Sequence, residues 1–500
     1  MKKETRIWLL AGILIIASFF RLYNLKEVPP GLYPDEAMNG NNAVEVAETG
    51  NIKSFYPENN GREGLFINIQ ALFIKTLGEN EPWVLRSVSA LFGIASVLGI
   101  YFLASELLKE NKNRHAVAIL SAFLMAGSFW HILFSRIGFR AIMAPAFLIW
   151  SAYLLLTSFQ KEKWKWLLYS LSGGFIYGLG LHSYIAYRAT PIIIAVPFLF
   201  FFIKAIKKRS IKKFAAISLS FIAGTLIAAY PLISHFTANP EDFFGRTSQI
   251  SVFSSETPIK DLAINTAETI AMFNFSGDAN WRHNFSGYPE LSVLVGIFFI
   301  IGLMLSVKKV FTNPKKSMPE WLIGTWLIVS LLPVVISNEG IPHALRAILA
   351  IPPAMILAAI GMEFIARKAK IWFSKMPDKK KIGIVLFKIC SATIISFLII
   401  EPFILYFILW GKNPHVSGAF SSNYVEIGRA INSLPKSHKK FVVVLAGGVS
   451  VRNIPMPAQT VMFITDSFTE KGQQENNIHY FTSYDDLPDN KNEATIFVIN

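Results

Sequence analysis

Long apolar runs, each near the thickness of a bilayer's hydrocarbon core, recur along most of this chain. A transmembrane helix needs about 20 such residues, and helices inside a bundle tolerate interruption by Gly or Pro. With 52% hydrophobic and 16% charged residues among 500, a soluble domain would lack polar cover. We therefore predict an α-helical polytopic membrane protein with about 11 transmembrane helices. The runs span residues 7–23, 82–108, 116–135, 139–159, 166–186, 189–206, 214–235, 288–307, 320–337, 344–366 and 384–410.

The positive charges between these runs alternate, because every second connecting segment is basic. Cytoplasmic loops carry the excess of Lys and Arg in membrane proteins. This pattern predicts a multi-pass protein of the cell membrane, with its N-terminus in the cytoplasm and its C-terminal segment outside. The net charge of +15 then reflects topology and contact with the lipid bilayer, and nucleic acid is not expected as a partner. The basic segments are 2–6, 109–114, 161–165, 207–213, 308–316 and 367–381.

Two domains are predicted from the change in composition after the last apolar run. Residues 1–410 form the transmembrane domain, with outer loops at 24–81 and 236–287. Residues 411–500 form a small extracytoplasmic α/β domain. Its expected elements are a helix over Asn423–Leu434 and strands over Phe441–Leu445, Thr460–Ile464 and Thr495–Ile499. An amphipathic helix, Leu65–Leu77, is expected along the membrane surface within the first outer loop.

An acid pair, Asp35-Glu36, lies in the first outer loop, shortly after the first apolar run. Pro34 restricts the backbone in front of the pair, and Asp35 is expected to cap a helix over residues 37–47. On the predicted outer side, nucleotide sugars are absent, so a substrate has to arrive already activated in the lipid. We predict Asp35 as a general base and group Glu36 with it as a catalytic residue. The role of Glu36 is left open: it orients Asp35, binds the acceptor or faces solvent.

Arg residues recur at the predicted outer ends of the apolar runs, against the usual charge bias. Arg guanidinium groups match phosphate oxygens bidentately, although a single Arg more often extends to lipid headgroups. As a set, these residues predict a clamp for the phosphate of a sugar donor. Together with nearby Tyr and His side chains, the predicted donor phosphate-binding residues are Arg62, Arg136, Arg140, Tyr184, Tyr187, Arg188, His343 and Arg346.

A polar segment in the second outer loop, residues 277–284, is dense in hydrogen-bond donors and acceptors. It is predicted to bind acceptor or sugar, and its single His is also a possible metal ligand. The predicted residues are Asp278, Asn280, Arg282, His283 and Asn284. A polar loop with one His is ordinary on its own, so this segment indicates a site only together with the acid pair and the Arg residues described above.

Taken together, these motifs resemble the GT-C fold glycosyltransferases, in particular the protein O-mannosyltransferase and aminoarabinose transferase superfamily (glycosyltransferase family 39-like). The resemblance covers roughly residues 15–365. It rests on Pro34-Asp35-Glu36-Ala37, Asn60-Gly61-Arg62-Glu63, Ser135-Arg136-Ile137-Gly138-Phe139-Arg140, residues 277–284 and His343-Ala344-Leu345-Arg346-Ala347. It implies a membrane transferase that uses a polyprenyl-phosphate-linked sugar, with Asp35 as the base. From the chemistry alone, a single in-line displacement by the acceptor hydroxyl is expected to invert the anomeric carbon.

The resemblance also assigns further roles within the first loop. Arg62 stands where some relatives place a Lys for the donor phosphate, and Glu63 matches a second acid, assigned here to acceptor or sugar binding. Some relatives bind a divalent metal ion near the first acid and others work without one. The expected metal ligands are Asp35, Glu63 and His283. The acceptor is left open as a glycan, a lipid or a protein.

Two other functions remain open from the residues. A transporter or flippase of lipid-linked glycans would carry ionisable groups deep within its spans, whereas this chain has few, such as Lys388 and Glu401. A non-catalytic partner in envelope assembly would tolerate loss of Asp35. The charges gathered at the outer ends of the runs favour the transferase.

Overall fold

A computed structural model describes residues 2–243, 252–374, 380–488 and 494–500. Within these ranges, nine helices are long and apolar enough to cross a membrane, which confirms the helical, polytopic fold. The other two predicted spans correspond to shorter helices of 13 and 16 residues, Arg114–Ala126 and Lys165–Gly180. The spans Arg140–Ser158 and Ile185–Lys207 reach their length because a 3-10 turn precedes the α-helix in each. Part of the predicted second loop, 244–251, and part of the last basic segment, 375–379, lie outside the described residues.

Helices and strands are numbered here in chain order. The helices are α1 Lys3–Leu22, α2 Pro34–Thr49, α3 Leu65–Leu77, α4 Pro82–Leu107, α5 Arg114–Ala126, α6 Phe129–Phe134, α7 Met143–Ser158, α8 Lys165–Gly180, α9 Pro191–Lys207, α10 Ile211–Ala238, α11 Pro258–Ala271, α12 Val293–Thr312, α13 Met318–Val335, α14 Ile351–Ser374, α15 Lys380–Phe403, α16 Pro414–Ala419, α17 Ser422–Ser433, α18 Ala458–Ile464 and α19 Glu470–Asn476. The strands are β1 Phe55–Tyr56, β2 Arg62–Glu63, β3 Lys439–Val444, β4 Ser450–Val451, β5 Ile454–Pro455, β6 Ile478–Phe481 and β7 Ala494–Ile499.

Close backbone approach at small residues holds neighbouring helices of the bundle together. A Cβ atom on Gly302 of α12 would lie 1.8 Å from the Leu357 carbonyl oxygen of α14. A Cβ atom on Gly174 of α8 would likewise lie 1.9 Å from the Phe221 carbonyl oxygen of α10. Such contacts drive helix association in a bilayer, where burial of apolar surface contributes little. They place the short α8 within the bundle.

The first loop and the C-terminal residues share one face of the bundle, which we call the site face. Helix α18 of the tail packs against α2 of the loop. Thr460 Oγ1 donates to the Leu32 carbonyl oxygen at 2.9 Å, and Asn41 Nδ2 donates to Gln459 Oε1 at 2.9 Å. The connections 109–113, 208–210 and 313–317 lie at the other end of the helices, on the opposite face.

The tail contains a three-stranded parallel sheet in the order β6-β3-β7. Helix α17 and strands β3 and β7 confirm three of its predicted elements. The strand predicted over Thr460–Ile464 is wrong, because these residues belong to helix α18. Burial of α18 between the tail sheet and α2 outweighs the β propensity of this short run. Strand β6 was not predicted.

Candidate active site

Asp35 lies in the first turn of α2, where Pro34 occupies the first helical position and Tyr33 is the N-cap residue. The predicted capping role of Asp35 is therefore wrong, since its side chain makes no cap hydrogen bond. Asn59 holds it instead, donating from Nδ2 to Asp35 Oδ1 at 2.7 Å. Among the described residues, no donor reaches Oδ2. The carboxylate is thus oriented through one of its two oxygens.

The neighbouring acid, Glu36, is fully buried and makes an ion pair with Arg86 of α4. Arg86 Nε lies 3.0 Å from Glu36 Oε2, and Nη2 lies 3.1 Å from Oε1. The Gly138 amide also donates to Glu36 Oε2 at 2.6 Å. Arg86 Nη1 donates in turn to the Pro29 carbonyl oxygen at 2.7 Å. Glu36 therefore connects α2 to α4 and to the turn before α7. Both of its carboxylate oxygens accept hydrogen bonds from protein donors.

Glu63 in strand β2 binds two of the predicted phosphate ligands. Arg140 Nε donates to Glu63 Oε2 at 2.8 Å, and Arg188 Nη2 lies 3.7 Å from Glu63 Oε1. Arg188 also donates to the Phe243 carbonyl oxygen at 2.7 Å. Because one carboxylate faces two guanidinium groups, this cluster keeps an excess positive charge and fixed orientation, as anion binding requires.

Arg62 is buried beside the same cluster. Its Nη1 and Nη2 atoms donate to Asn39 Oδ1 at 2.8 Å and to Asn42 Oδ1 at 2.7 Å. Burial, followed by the like charge of Arg140, lowers the pKa of Arg62 to about 10. Arg62 thus stays protonated at neutral pH, and an anion nearby would stabilise its charged form.

Arg346 projects from the segment that joins α13 to α14. It donates to the Ser337 hydroxyl, to the Glu339 carbonyl oxygen at 2.7 Å, and lies 3.2 Å from Glu339 Oε2. The Glu339 side chain is 70% exposed, so solvent screens that part of the pairing. The guanidinium is held mainly by the Ser337 hydroxyl and the Glu339 carbonyl oxygen.

A cavity of about 510 Å³ on the site face collects these groups. Its wall combines the first loop, the turn before α7, the 343–346 segment and the tail. The tail contributes Gly447, Gly448 and Met456. Six of the predicted site residues line it, namely Asp35, Arg62, Arg140, Tyr184, His343 and Arg346. The cavity therefore brings together the predicted base, Asp35, and three of the five Arg residues predicted to bind phosphate.

Two residues predicted to bind phosphate are buried away from the cavity, and a third, Arg188, contacts Glu63 but does not line the cavity. Arg136 is fully buried and donates to the carbonyl oxygens of Phe20 at 3.0 Å and Val28 at 2.7 Å. The Tyr187 ring is buried against Gly180 and Tyr177. The side chains of Arg136 and Tyr187 pack between helices, so neither is placed to contact a ligand in the cavity.

The 277–284 segment approaches the site from a different side. Arg282 stacks on Tyr33, with its Cζ atom 3.8 Å from the ring centroid. Asn280 Oδ1 accepts from the Arg282 amide at 3.0 Å, and Asn284 donates to the Tyr288 carbonyl oxygen. The two Asn side chains thus shape their own loop, while Arg282 meets the residue two positions before Asp35.

Asp278, His283 and His343 form a cluster at this junction. Asp278 Oδ2 lies 3.2 Å from His283 Nδ1 and 3.8 Å from His343 Nδ1, and it accepts from the Ala344 amide at 2.9 Å. One donor atom from each of the three side chains lies within 4.8 Å of the others. Two imidazoles and a carboxylate are a donor set that suits Zn²⁺.

Of the three predicted metal ligands, Asp35, Glu63 and His283, the structure places only His283 in this cluster. His283 belongs to the cluster, whereas Glu63 is paired with Arg140 and Asp35 with Asn59. Within the described ranges, Asp278, His283 and His343 are the one group of three such residues that could hold an ion. Asp278 was predicted only to bind acceptor or sugar, and His343 only to bind phosphate.

Comparisons with known proteins bear on this site. Residues 65–235 match the family described as dolichyl-phosphate-mannose-protein mannosyltransferase. The fold resembles that of ArnT from Cupriavidus metallidurans bound to undecaprenyl phosphate, at 12% identity and a TM-score of 0.56, covering 99% of this chain and 90% of that one. A search of curated proteins by sequence found no match.

The fold also resembles the oligosaccharyltransferase of Archaeoglobus fulgidus. The structure tethered with an acceptor peptide aligns at 14% identity with a TM-score of 0.53, over 93% of this chain and 63% of that one. The same enzyme with Zn and sulfate aligns at 14% identity with a TM-score of 0.52, over 91% and 61%. This chain thus spans less than two thirds of the archaeal enzyme. The predicted resemblance to GT-C glycosyltransferases is confirmed, and the chain has the GT-C fold.

Proposed function

We propose that this protein is a glycosyltransferase that moves a sugar from a polyprenyl-phosphate donor to an acceptor hydroxyl at the extracytoplasmic face of the cell membrane. The observation that carries the proposal is the shared cavity, whose wall includes Asp35 together with Arg62, Arg140 and Arg346. The GT-C neighbours support it, since one was solved with undecaprenyl phosphate and another with an acceptor peptide.

The proposed orientation follows from the charges on the two faces. The connections on the opposite face carry Lys109, Lys112, Lys208, Lys315 and Lys316. Positively charged connections favour the cytoplasmic side. The site face, with the first loop and the tail, then lies outside.

In the proposed reaction, Asp35 takes the proton of the acceptor hydroxyl. The acceptor oxygen forms a bond to the anomeric carbon of the sugar as the bond from that carbon to the phosphate oxygen breaks. The electron pair of the broken bond stays with the polyprenyl phosphate, which leaves with increased negative charge. Arg140 and Arg346 stabilise this charge through pre-oriented N–H donors. A single displacement of this kind inverts the anomeric centre.

The remaining predicted residues act in support. Glu36 positions the first turn of α2 through Arg86 and Gly138, and Glu63 positions Arg140 and Arg188. Arg62 adds positive charge behind Asn39. The chain carries out proton transfer with Asp35 alone among these acids, because the oxygens of Glu36 and Glu63 are already bound by protein cations.

A divalent cation would be held by Asp278, His283 and His343. When bound, such an ion would supply positive charge at the part of the cavity wall that His343 forms. His343 both belongs to the cluster and lines the cavity. The cluster therefore connects the 277–284 segment to the site.

Metal analysis tests this cluster directly. The wild-type chain, stripped with chelator and reloaded with Zn²⁺, should retain about one ion per chain. At a free Zn²⁺ concentration of 100 times Kd, its free energy of unfolding should increase by about 3 kcal/mol. The His283→Ala variant should lose both effects. His235→Ala is the matched control, because His235 pairs with Asp242 at 2.8 Å outside the cluster. Equal retention of Zn²⁺ by both variants would remove the assignment.

The tail domain is proposed to shape the acceptor side of the cavity. Gly447 lies on the cavity wall, and a Cβ atom there would meet no atom within 4 Å. Gly447→Trp should therefore fill the cavity without disturbing the fold, lowering kcat/KM for the acceptor about tenfold or more. Gly418→Trp, equally unobstructed but away from the cavity, should leave it unchanged. An unaltered rate for Gly447→Trp would exclude the tail from the site.

The acceptor class can be identified in cells. Mass spectrometry of envelope glycans, glycolipids and proteins, with and without a functional gene, should show one class that loses a single sugar. That mass difference identifies the sugar and the acceptor together. Unchanged masses in all three classes would contradict the proposed function.

A further inference from the structure

A second large cavity, of about 970 Å³, opens on the opposite face of the bundle. It lies among the ends of four helices, where α4, α9 and α12 finish and α13 begins. These ends mark the depth at which the apolar spans give way to loops, which is the depth of lipid headgroups. One acid, Glu110, and six Lys residues line it, the latter being Lys109, Lys204, Lys207, Lys309, Lys315 and Lys316.

Most of these Lys residues have no acidic partner. Lys309 pairs with Glu320 at 2.7 Å, and Lys109 lies 3.9 Å from Glu106. The other four, Lys204, Lys207, Lys315 and Lys316, form no salt bridge with any acid in the described part of the chain. The positive-inside rule explains basic loops one by one, but it does not require four unpaired cations from separate segments to converge on one cavity.

This convergence costs electrostatic energy when the cavity holds no anion. Burial is the main cause that lowers the pKa of Lys109, and the like charge of Lys204 adds to it, despite the opposing effects of Glu106 and Glu110. A bound anion would offset the repulsion among these ammonium groups.

The floor of the same cavity is apolar. Phe200, Phe201 and Leu107 line it together with the exposed side chain of Ile203. A small soluble anion would gain no binding energy from this apolar surface, whereas lipid acyl chains would pack against it. An apolar floor beneath a cationic rim at headgroup depth matches a phospholipid.

We infer that this cavity is a binding site for an anionic phospholipid whose headgroup carries two phosphates. The phosphates contact Lys204 and Lys207 on one side and Lys315 and Lys316 on the other, and the acyl chains lie over Phe200 and Phe201. The lipid joins α9 to the connection between α12 and α13. The site is separate from the cavity around Asp35 and does not depend on the function proposed for it.

Native mass spectrometry of the full chain in detergent tests the inference with diphosphatidylglycerol as the probe. The Lys204→Gln/Lys315→Gln variant should bind this lipid about 30-fold more weakly than the wild-type chain. Lys163→Gln/Lys208→Gln removes two exposed loop Lys residues outside the cavity, and should bind it as the wild type does.

Three results would overturn the inference. The first is equal binding by the wild type and the Lys204→Gln/Lys315→Gln variant, when thermal unfolding shows both to be folded. The second is an equal loss of binding in the control variant, which would show only general attraction to charge. The third is complete displacement of the lipid by inorganic pyrophosphate at equal concentration, which would assign the site to a soluble anion. Phosphatidylcholine should bind weakly to all three proteins.

Discussion

The Asp35→Asn variant should transfer sugar about 10²–10⁴-fold more slowly than the wild-type chain, the usual contribution of a general base. The amide cannot take the acceptor proton, but it keeps the size of the carboxylate. Its oxygen still accepts from Asn59, which holds Asp35 at 2.7 Å. Binding of the lipid donor and thermal unfolding should therefore change little, and the loss should fall on kcat.

Initial rates with purified, lipid-reconstituted protein give the comparison. Glu45→Gln is the control, since Glu45 lies on the same helix but pairs with Arg452 outside the cavity. A rate for Asp35→Asn near that of Glu45→Gln would remove Asp35 from catalysis. A loss of folded protein in Asp35→Asn, seen as a lower unfolding temperature, would instead assign it a structural role.

The largest effect on stability is expected from Arg86→Met. This change leaves Glu36 buried without its cation, because the Glu36 side chain is 0% exposed and Arg86 only 1%. Removing one member of a buried ion pair costs about 3–5 kcal/mol of unfolding free energy. Transfer activity should fall as well, since Glu36 fixes the turn that carries Asp35.

Two comparisons separate this effect from a general loss of charge. Arg452→Met breaks the pair with Glu45, in which the side chains are 39% and 26% exposed, and should cost about 1 kcal/mol or less. Combining Arg86→Met with Glu36→Gln should restore part of the lost stability, because no unpaired charge is then buried. Equal destabilisation by Arg86→Met and Arg452→Met, measured by thermal unfolding in detergent, would contradict a clamping role for Glu36.

The membrane fold was predictable because its determinants are local. Apolar length and alternating charge identified the helices, and the amphipathic period over 65–77 matches α3, Leu65–Leu77. The strand predicted over Thr460–Ile464 failed where the tertiary environment decides. Helix α18 is buried against α2, a segment more than 400 residues earlier in the chain, and no local pattern reports that contact.

The sequence predicted the membrane depth of the site residues, but not the direction in which each side chain projects. Arg136 and Arg140 lie at the same predicted membrane depth, yet only Arg140 lines the cavity while Arg136 faces backbone carbonyl oxygens. Spacing in an irregular turn does not fix the side on which each residue projects. Arg86 was missed, although a lone Arg in an apolar run is a signal of a buried partner.

The candidate metal-binding cluster was only partly predictable for a related reason. His283 stood out within a polar segment, but Asp278 and His343 come from segments on either side of α12 and α13. Ligands spaced regularly along one element produce a recognisable motif. Ligands joined only by the packing of the bundle do not.

The most direct test of the proposed function follows both halves of the donor in one experiment. The purified chain is placed in vesicles with a polyprenyl-phosphate sugar labelled in the sugar and an acceptor glycan or lipid on the site face. Transfer predicts labelled product and an equal amount of free polyprenyl phosphate, with the anomeric configuration inverted. Movement of the intact labelled lipid across the bilayer, without release of polyprenyl phosphate, would contradict the transferase and identify a transporter.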